Sequence, residues 1–528
     1  MAQRRPTVVD VFCGAGGLSE GFRRAGCRIV YGLDIDPHAM QTFRFNHLNE
    51  VAEDVAAHMG RAVPERQAVA AHIVAVLGDA LANNTFERWL ADRIDDQLGS
   101  RLDGLADLEQ RAVRRAAKLL VTRFPTTDVC RISAKEILKA TGVRKIDIVV
   151  GGPNCQGVSE RGLRDPDNPK NQMLREYFRL VDELRPRFFV MENVPGLAHA
   201  HNLRLLKEIY GAFKDMGYAV AGDVLRAADY GVPQLRYRFF LIGSRDAGIN
   251  PLFPAPTHGD PDELGSPAKL NPHVTVREAI GDLPVIGAGE GTEEAHYVTP
   301  TSFLGEYARR LLDDNKTLYN HRSAATSDVN LRRIEHVPEG GNWKDIPGFL
   351  LPRRFFQVRL TDHSTTYARV RWDYPSYTIT ALFGNVTAGA FTHPSQHRAL
   401  SVREGARLHG YFDSYRFLGP LSKQYRQIGN SVPPILAEAI ARAVMALTSR
   451  KAGKPRRGYP VLVKARLPWD LVHGAESIES LPVLAPRFKP LFGGGTKRPV
   501  GWPADVPIDK NYKLLDRDAA LCGAFDGE

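Results

Sequence analysis

The first part of the chain alternates short apolar runs with a glycine-rich turn and an amphipathic stretch. Residues 7–12 predict a buried strand, a turn with three glycines follows, and residues 18–25 predict a helix. Residues 28–33 predict a second strand, which ends at Asp34. A β-α-β unit with a glycine-rich first turn and an acidic residue about 20 positions later is typical of nucleotide-like ligand sites. A glycine turn is equally a common structural device.

Strand and helix patterns return further along the chain. Residues 51–125 have helix-period apolar positions, and we predict a helical insertion there. Further strands are predicted at 146–150, 188–191 and 238–242, and a further helix at 173–184. This alternation predicts an α/β fold with a doubly wound, mostly parallel sheet, whose ligands gather at the carboxyl ends of the strands.

The pattern changes near residue 253. Proline, glycine, histidine and basic residues replace the regular periodicity until about residue 394, after which helices are predicted at 401–409 and 435–447. Residues 450–498 hold 11 Lys/Arg against 3 Asp/Glu, which suits either phosphate contacts or a solvated linker. We therefore predict four segments: a first domain over 1–250, a loop-rich domain over 251–395, a return to the first domain over 396–449, and a basic extension over 450–528.

Composition narrows the class of protein. The 528 residues carry a formal net charge of +10, are 43% hydrophobic and include 5 Cys, which fits a globular protein and excludes collagen-like and disulfide-scaffold classes. No Cys-x-x-Cys pair is present, so we expect no metal site.

Apolar runs are too short for a membrane helix and the N-terminus is unlike a signal peptide, which predicts an intracellular, cytoplasmic protein. The positive charge favours a polyanionic partner such as nucleic acid.

Chemically capable side chains lie at the ends of three of the predicted strands. Cys155 ends a Gly-Gly-Pro-Asn-Cys loop and is either a nucleophile or a buried structural cysteine. Glu192 ends the next strand, where it is either a partly desolvated proton carrier or a group that fixes the loop. Arg236 and Arg238 share one face of an extended segment, where they could orient the carboxylate, bind a substrate oxygen or form a surface pair.

Taken together, six ordered motifs resemble the DNA (cytosine-5) methyltransferases. They are Asp10-Val-Phe-Cys-Gly-Ala-Gly-Gly-Leu-Ser19, Gly151-Gly-Pro-Asn-Cys155-Gln156, Glu192-Asn193-Val194, Gln234-x-Arg236-x-Arg238, Arg403-Glu-Gly-Ala-Arg407-Leu-His-Gly410 and Gln427-Ile-Gly-Asn430-Ser-Val-Pro-Pro434. The resemblance covers about 7–245 and 395–447. It implies a Rossmann-like methyltransferase domain with a smaller target-recognition domain at 251–395.

The resemblance also implies the reaction. S-adenosylmethionine would donate a methyl group to C5 of a cytosine and leave as S-adenosylhomocysteine. Cys155 would attack C6, Glu192 would contact N3 and the exocyclic amine, Arg238 would bind O2, and Arg236 would help hold the carboxylate and the loop. The cytosine would first be flipped out of the duplex.

Binding residues follow by the same analogy. The family positions that line the pocket of the methyl donor are matched in this sequence by Phe12, Gly14, Gly16, Leu18, Asp34, Ile35 and Asn430. Gln156 and Ser159 would contact the target strand, and Arg161 and Arg164 lie in the loop expected to close on DNA. The acidic residue that meets the adenine is open between Asp128, which has the better distance to Cys155, Asp79, which follows a predicted strand at 73–77, and Asp54; we favour Asp128.

Some features depart from the family pattern or leave the setting open. The family usually has Pro-Pro before its catalytic cysteine, whereas this chain has Pro153-Asn154, which makes the loop geometry less certain. In the recognition segment, side chains that could contact base edges are offered by Asn320, the Gly340-Gly-Asn-Trp stretch and the residues from Arg369 to Thr380.

We expect a restriction-modification or phage-defence enzyme, a monomer on double-stranded DNA, with cognate defence proteins as possible partners. Methylation of RNA and non-catalytic DNA binding are the alternatives.

Overall fold

The computed structural model describes most of the chain apart from several loops and the two termini. The described ranges are 4–58, 63–83, 107–153, 169–198, 203–260, 270–300, 302, 304–313, 316–357, 363–449 and 460–474. All structural statements below concern these residues.

A seven-stranded sheet forms the centre of the molecule. The strands of the structure are β1 (Thr7–Val11), β2 (Arg28–Leu33), β3 (Ile148–Gly151), β4 (Phe188–Asn193), β5 (Ala219–Arg226), β6 (Tyr237–Ser244), β7 (Leu252–Pro254), β8 (His258–Gly259), β9 (Asn271–Pro272), β10 (Gly291–His296), β11 (Thr317–Arg322), β12 (Leu462–Lys464) and β13 (Leu467–Pro468). The order in the large sheet is β13-β5-β6-β4-β3-β1-β2. Pairs β1–β2, β1–β3 and β3–β4 are parallel, whereas β6 is antiparallel to β4 and β5.

The predicted α/β fold with a mostly parallel sheet is therefore confirmed. The sequence pattern missed β5, because its alternation includes Gly222 and Asp223, and it did not show that β6 runs against its neighbours. The order reverses between β1 and β3, which creates the switch point where open α/β sheets bind ligands.

Helices cover both faces of the sheet. They are α1 (Gly17–Arg24), α2 (Pro37–Asn46), α3 (Leu48–Ala57), α4 (Val63–Ala82), α5 (Asp107–Arg123), α6 (Ala134–Thr141), α7 (Pro169–Leu184), α8 (Leu203–Asp215), α9 (Val276–Ile280), α10 (Glu306–Leu312), α11 (Asp328–Glu335), α12 (Val402–Leu408), α13 (Leu421–Asn430), α14 (Pro434–Ser449) and α15 (Trp469–Gly474). Two hydrophobic clusters fill the spaces between the helices and the sheet.

The described part of 51–125 is helical, as predicted. Leu77 on α4 and Val113 and Leu120 on α5 are fully buried, so these helices contribute to the main core. The predicted strand at 73–77 is wrong, since these residues lie within α4. Its alanine-rich flanks favour helix, and the apolar run there is too short to distinguish the two by periodicity.

The segment over 251–395 is divided among several hydrophobic clusters. Helix α9 and strand β11 pack into the main core, whereas Ile334, Trp343 and Tyr367 belong to a separate cluster, and two smaller clusters also lie in this segment. The boundaries at 250, 395 and 449 stay predictions.

Part of the basic extension packs on the sheet. Strand β12 pairs with β7, and β13 pairs with the edge of β5. Leu467 is fully buried, and its carbonyl accepts from the Tyr210 hydroxyl at 2.8 Å. Residues 460–474 are therefore a structural part of the molecule rather than a solvated linker.

One apolar stretch, Leu421–Thr448, is long enough to be compared with a membrane span. It consists of α13 and α14, which are interrupted at 431–433, and 67% of its most apolar window is buried inside the molecule. Its apolar character is accounted for by core packing, and by itself it is weak evidence for a span.

Candidate active site

The functional groups predicted at strand ends lie along one edge of the sheet. Strand β3 ends at Gly151 and leads into Pro153, and the neighbouring β4 ends with Glu192 and Asn193. Because β6 runs antiparallel to β4, the beginning of β6, with Arg238, lies at this same edge. We call this the catalytic edge.

Glu192 and Arg238 form an ion pair across adjacent strands. Arg238 Nε lies 2.8 Å from Glu192 Oε1, and the two side chains are only 15% and 13% exposed. Register explains the contact, because Glu192 pairs with Phe240 and Arg238 is two residues away on the same face. Burial raises the pKa of Glu192, and the positive charge of Arg238 partly offsets this increase.

The same carboxylate lies against the loop that leads to Cys155. A Cβ added at Gly152 would lie 3.0 Å from Oε2 of Glu192, so this glycine allows the close approach. Next to it, Nδ2 of Asn193 donates to the carbonyl of Pro153 at 3.0 Å. No role was assigned to Asn193 from the sequence. The signal that could have identified it is an amide side chain that directly follows the carboxylate at the end of a strand.

Arg236 has a different position from the one expected. It is 1% exposed and donates to three backbone carbonyls, those of Ile379 (2.9 Å), Gly429 (3.0 Å) and Ser431 (3.0 Å). Its charge lowers the Glu192 pKa, but no described hydrogen bond joins it to that carboxylate. Arg238 makes the hydrogen-bonded contact with the carboxylate, whereas Arg236 acts on it through its charge and ties the segment over 251–395 to the Asn430 turn. That Arg236 helps to hold the carboxylate and the loop stays a prediction.

The glycine turn after β1 has the open backbone predicted for it. Phe12, Gly14 and Gly16 have φ of 66°, 52° and 93°, in the left-handed region that favours glycine. At Gly16 a side chain would also collide, because its Cβ would lie 2.6 Å from the Tyr415 hydroxyl oxygen. Among the described residues other than its chain neighbours, no heavy atom lies within 4 Å of a Cβ built at Gly14, which leaves space beside that residue.

Asp34 at the end of β2 fixes this turn. Its Oδ2 accepts from the Gly14 amide and its Oδ1 from the Asp36 amide, both at 2.9 Å. Burial raises the pKa of Asp34, whereas these hydrogen bonds oppose the rise. Asp36 then caps α2 through His38 N, and Pro37 suits the first helical position.

The other residues predicted to line the pocket of the methyl donor differ in how exposed they are. Ile35 is 69% exposed beside Asp34, which is unusual for an apolar residue at a sheet edge. Asn430 is exposed at the end of α13. Leu18 is 5% exposed within the core, so its side chain packs α1 and only its backbone amide at the helix start is suited to a ligand.

The three acidic candidates for the adenine contact are in different places. Asp128 follows Thr126, which pairs with Asp34 in an isolated β-bridge, and Thr127, whose amide donates to the Asp34 carbonyl at 3.0 Å; the Asp128 carboxylate accepts from the Cys130 amide. Asp79 is exposed on α4, and the strand predicted before it is absent. Asp54 bridges Arg28 (2.5 Å) and Arg123 (2.7 Å).

Several residues expected to read bases are buried. Asn320 is fully buried and donates to the carbonyl of Phe417 at 2.9 Å. Arg369 is 3% exposed and donates to backbone carbonyls, including those of Val337 (2.7 Å) and Ile334 (2.6 Å). These two side chains are therefore structural, a distinction that residue type alone does not provide.

Some predicted residues lie outside the described part of the chain. They are Asn154, Cys155, Gln156, Ser159, Arg161 and Arg164. Within the described ranges, no group of three or more His, Cys, Asp or Glu side chains could hold a metal ion.

The chain matches known proteins over most of its length. The family model for C-5 cytosine-specific DNA methylase matches residues 6–70 and 109–446. The type II methyltransferase M1.HphI of Haemophilus parahaemolyticus is 30% identical over 84% of this chain and 88% of its own, and M.XorII of Xanthomonas oryzae pv. oryzae is 32% identical over 85% and 87%.

A solved structure supports the fold. It is that of a prophage-encoded DNA modification methyltransferase of E. coli, with a TM-score of 0.55 and 23% identity over 84% of this chain and 99% of that one. From these matches, the chain belongs to the C-5 cytosine-specific DNA methylase family and is a DNA (cytosine-5) methyltransferase.

Proposed function

We propose that this enzyme transfers a methyl group from S-adenosylmethionine to C5 of a flipped-out cytosine in a specific double-stranded DNA sequence. The observation that carries the proposal is the half-buried Glu192–Arg238 pair, in contact with the loop that leads to Cys155.

We further propose that the enzyme works in the cytoplasm, as a monomer on DNA, and marks host DNA in a restriction-modification or phage-defence system with cognate partners. Its type II relatives support this setting.

In the proposed mechanism, Cys155 supplies the covalent step. C5 of cytosine is a weak nucleophile, and addition of the Cys155 thiolate to C6 makes a C–S bond and shifts electron density to C5. S-adenosylmethionine, when bound, would supply the methyl group: the bond to C5 forms as the bond from the methyl group to the sulfonium sulfur breaks, which leaves S-adenosylhomocysteine. After C5 has been methylated, a base removes the C5 proton, and the C–S bond breaks to release the thiolate.

Glu192 and Arg238 complete the proposed base site. The raised pKa of Glu192 makes its carboxyl a better proton carrier, which would share a proton with N3 while negative charge develops in the ring. Arg238 uses Nε for Glu192 and one Nη for the Tyr237 carbonyl, and a guanidinium has further N–H groups for the cytosine O2. Asn193 positions the Cys155 loop through Pro153.

The donor would bind at the switch point. Backbone amides at the start of α1 suit its carboxylate, since helix N-termini carry free N–H groups and a positive partial charge. Asp34 would accept from the ribose hydroxyls with its remaining lone pairs, and exposed Ile35 would contact the adenine. The open space beside Gly14 and the exposed amide of Asn430 are compatible with such a ligand.

Asp128 is the acidic group we assign to the adenine amine. Hydrogen bonds hold its backbone neighbours to Asp34, whereas Asp54 is occupied by two arginines. Asp128→Ala should raise the Kd for S-adenosylmethionine about tenfold, since a hydrogen bond to a charged group contributes about 1.5 kcal/mol or more. Asp79→Ala, which alters an exposed carboxylate on α4, is the control, and a larger effect of that variant would contradict the assignment.

DNA contacts are proposed for both sides of the target base. Gln156, Ser159, Arg161 and Arg164 would close on the target strand, and the recognition segment would read the neighbouring bases. Flipping costs a few kcal/mol, which phosphate and groove contacts must offset.

Bisulfite sequencing tests the proposed methyl transfer and its sequence specificity. Unmethylated DNA is incubated with the enzyme and S-adenosylmethionine, and cytosines protected from conversion are then located. Protection within one short sequence context is the expected result. Protection of RNA instead of DNA would support the RNA alternative, and no transfer with intact donor and DNA binding would support a non-catalytic DNA-binding protein.

A further inference from the structure

The sheet edge opposite the catalytic edge is lined by basic side chains. This amino-end edge consists of the starts of β2, β1, β3 and β4 and the end of the antiparallel β6. The strand ends are in register there: Thr7 pairs with Arg28, Ile148 with Phe188, and Phe188 with Ser244. Residues within four positions of these strand ends are therefore grouped along one edge of the molecule.

Each strand end contributes at least one positive charge to this line, which we call the basic row. Arg4 and Arg5 precede β1, Arg28 begins β2, and Arg144 and Lys145 lie just before β3. A cleft of about 670 Å³ opens between these side chains.

The row continues across the other half of the sheet. Arg185 and Arg187 precede β4, and Arg245 follows β6. Arg185 is 48% exposed and donates to Asp182 at 2.9 Å, and Arg187 pairs with Asp246. Arg245 donates to the carbonyl of Arg185 at 3.0 Å, which links the two strand ends.

The row has more positive than negative charges. Five of its arginines each have a carboxylate partner, namely Asp147 for Arg4, Glu50 for Arg5, Asp54 for Arg28, Asp182 for Arg185 and Asp246 for Arg187. Arg144, Lys145 and Arg245 have no ion pair among the described residues, and Arg144 and Lys145 are exposed. Arg144 and Lys145 are therefore available to an anionic partner, whereas Arg245 is half-buried over the Tyr218 ring and donates to the Arg185 carbonyl.

The dimensions of the row match a nucleic-acid backbone. Adjacent strands lie about 4.8 Å apart, so five strand ends span about 19 Å. Each strand of a DNA duplex presents one phosphate for every 3.4 Å or so of helix axis and winds around that axis, so the row is long enough to meet the few consecutive phosphates that face the protein. Guanidinium groups are well suited to phosphate oxygens.

We propose that the basic row binds the phosphate backbone of a second segment of double-stranded DNA, on the side of the enzyme away from the target cytosine. The contact involves no base and is independent of sequence. It would retain the enzyme on long DNA while the catalytic edge samples target sites. The proposal goes beyond methyl transfer and does not depend on the role of Cys155.

The test counts DNA duplexes bound per enzyme chain. Full-length enzyme is titrated at low salt with a fluorescent short duplex, and the stoichiometry is read by analytical ultracentrifugation. The wild type should bind two duplexes and Arg144→Glu/Lys145→Glu one. Arg115→Glu/Lys118→Glu, which makes the same charge change at exposed positions on α5, should still bind two.

Methyl transfer to the short duplex separates this proposal from the function proposed above. The Arg144→Glu/Lys145→Glu enzyme should methylate that duplex at the wild-type rate, and it should lose activity selectively on long DNA as salt increases. A single duplex on the wild type, two duplexes on Arg144→Glu/Lys145→Glu, or equal losses in both double variants would overturn the proposal. Preferential binding of single-stranded RNA to the row would also overturn it.

Discussion

Arg238 donates to Glu192 from the neighbouring antiparallel strand, with 2.8 Å between Nε and Oε1. The contact depends on the reversed direction of β6, which brings the start of that strand to the carboxyl end of β4. A parallel β6 would place Arg238 at the opposite edge. The topology of the sheet thus assembles the base site that we propose.

Replacing the Glu192 carboxyl should affect catalysis more than folding. In Glu192→Gln the amide oxygen can still accept from Arg238, but the side chain no longer transfers a proton. Loss of general acid catalysis should lower the methyl-transfer rate by about 100-fold or more. Glu208→Gln, which alters a surface pair with Arg204 on α8, is the control and should retain the wild-type rate.

Asn193 should position the Cys155 loop. Asn193→Ala removes the hydrogen bond to the Pro153 carbonyl, which should lower kcat at least about tenfold because small displacements of reacting groups are costly. The KM for S-adenosylmethionine should stay constant. Asn83→Ala removes an exposed amide that contacts Asp79 and serves as the control. Steady-state kinetics of both variants give the comparison, and an unchanged kcat in Asn193→Ala would refute the positioning role.

Arg236 should couple stability to donor binding. Arg236→Met leaves the buried carbonyls of Ile379, Gly429 and Ser431 with fewer donors, at a cost of about 1–3 kcal/mol for each unsatisfied group. We expect a lower Tm and a higher KM for S-adenosylmethionine, because the Asn430 turn loses its anchor. Thermal unfolding and kinetics measure the two effects. A lower Tm with an unchanged KM would reduce Arg236 to a purely structural role.

Asp10 should make stability depend on pH. Burial raises its pKa from 3.8 to about 7, opposed by the hydrogen bond from Ser19, and its Oδ1 has no described partner. Between pH 3.8 and about 7, the Asp10 carboxyl takes up a proton when the chain folds. The stabilisation that results from this proton uptake is complete below about pH 4 and is lost as the pH rises through about 7.

Asp10→Asn removes this titration. The free energy of unfolding of Asp10→Asn, measured relative to that of wild type, should increase as the pH rises from 4 to 7. The increase is about 4 kcal/mol when the whole difference in pKa is realised. Denaturant unfolding at several pH values measures the difference. Asp182→Asn at an exposed site is the control, and parallel curves for Asp10→Asn and wild type would contradict the buried titration.

Residues 460–474 should protect the sheet edge. Deletion of 460–528 would remove β13 and uncover β5, while Tyr210 would lose the Leu467 carbonyl. Exposed edges favour association, so we expect a lower Tm and increased aggregation. Deletion of 475–528 retains the packed segment and should behave like the full chain. Light scattering during thermal unfolding compares the two, and identical behaviour would contradict this role.

Local patterns predicted much of the fold. Apolar runs located β1 to β4 and β6, because buried strands of a mostly parallel sheet are continuous hydrophobic stretches. The glycine turn and Asp34 were also located correctly, since their role depends on nearby backbone. Strand β5 was missed because Gly222 and Asp223 interrupt its apolar alternation, and the direction of β6 was missed because it depends on pairing with β4, which is distant in sequence.

The site was less completely predictable for the same reason. Motifs identified Glu192 and Arg238, but the distance between them depends on strand register. Arg236 and Arg369 resemble ligand-binding arginines in sequence, whereas the structure buries both against backbone carbonyls from distant segments. Burial is a property of tertiary packing, and residue type does not report it.

Methyl transfer by wild type and Cys155→Ala tests the central claim most directly. Both proteins are incubated with unmethylated DNA and S-adenosylmethionine that carries a labelled methyl group, while donor binding is measured by calorimetry. We predict labelled 5-methylcytosine in DNA with the wild type, none with Cys155→Ala, and a similar Kd for the donor in both. Substantial 5-methylcytosine formation by Cys155→Ala would contradict the covalent mechanism.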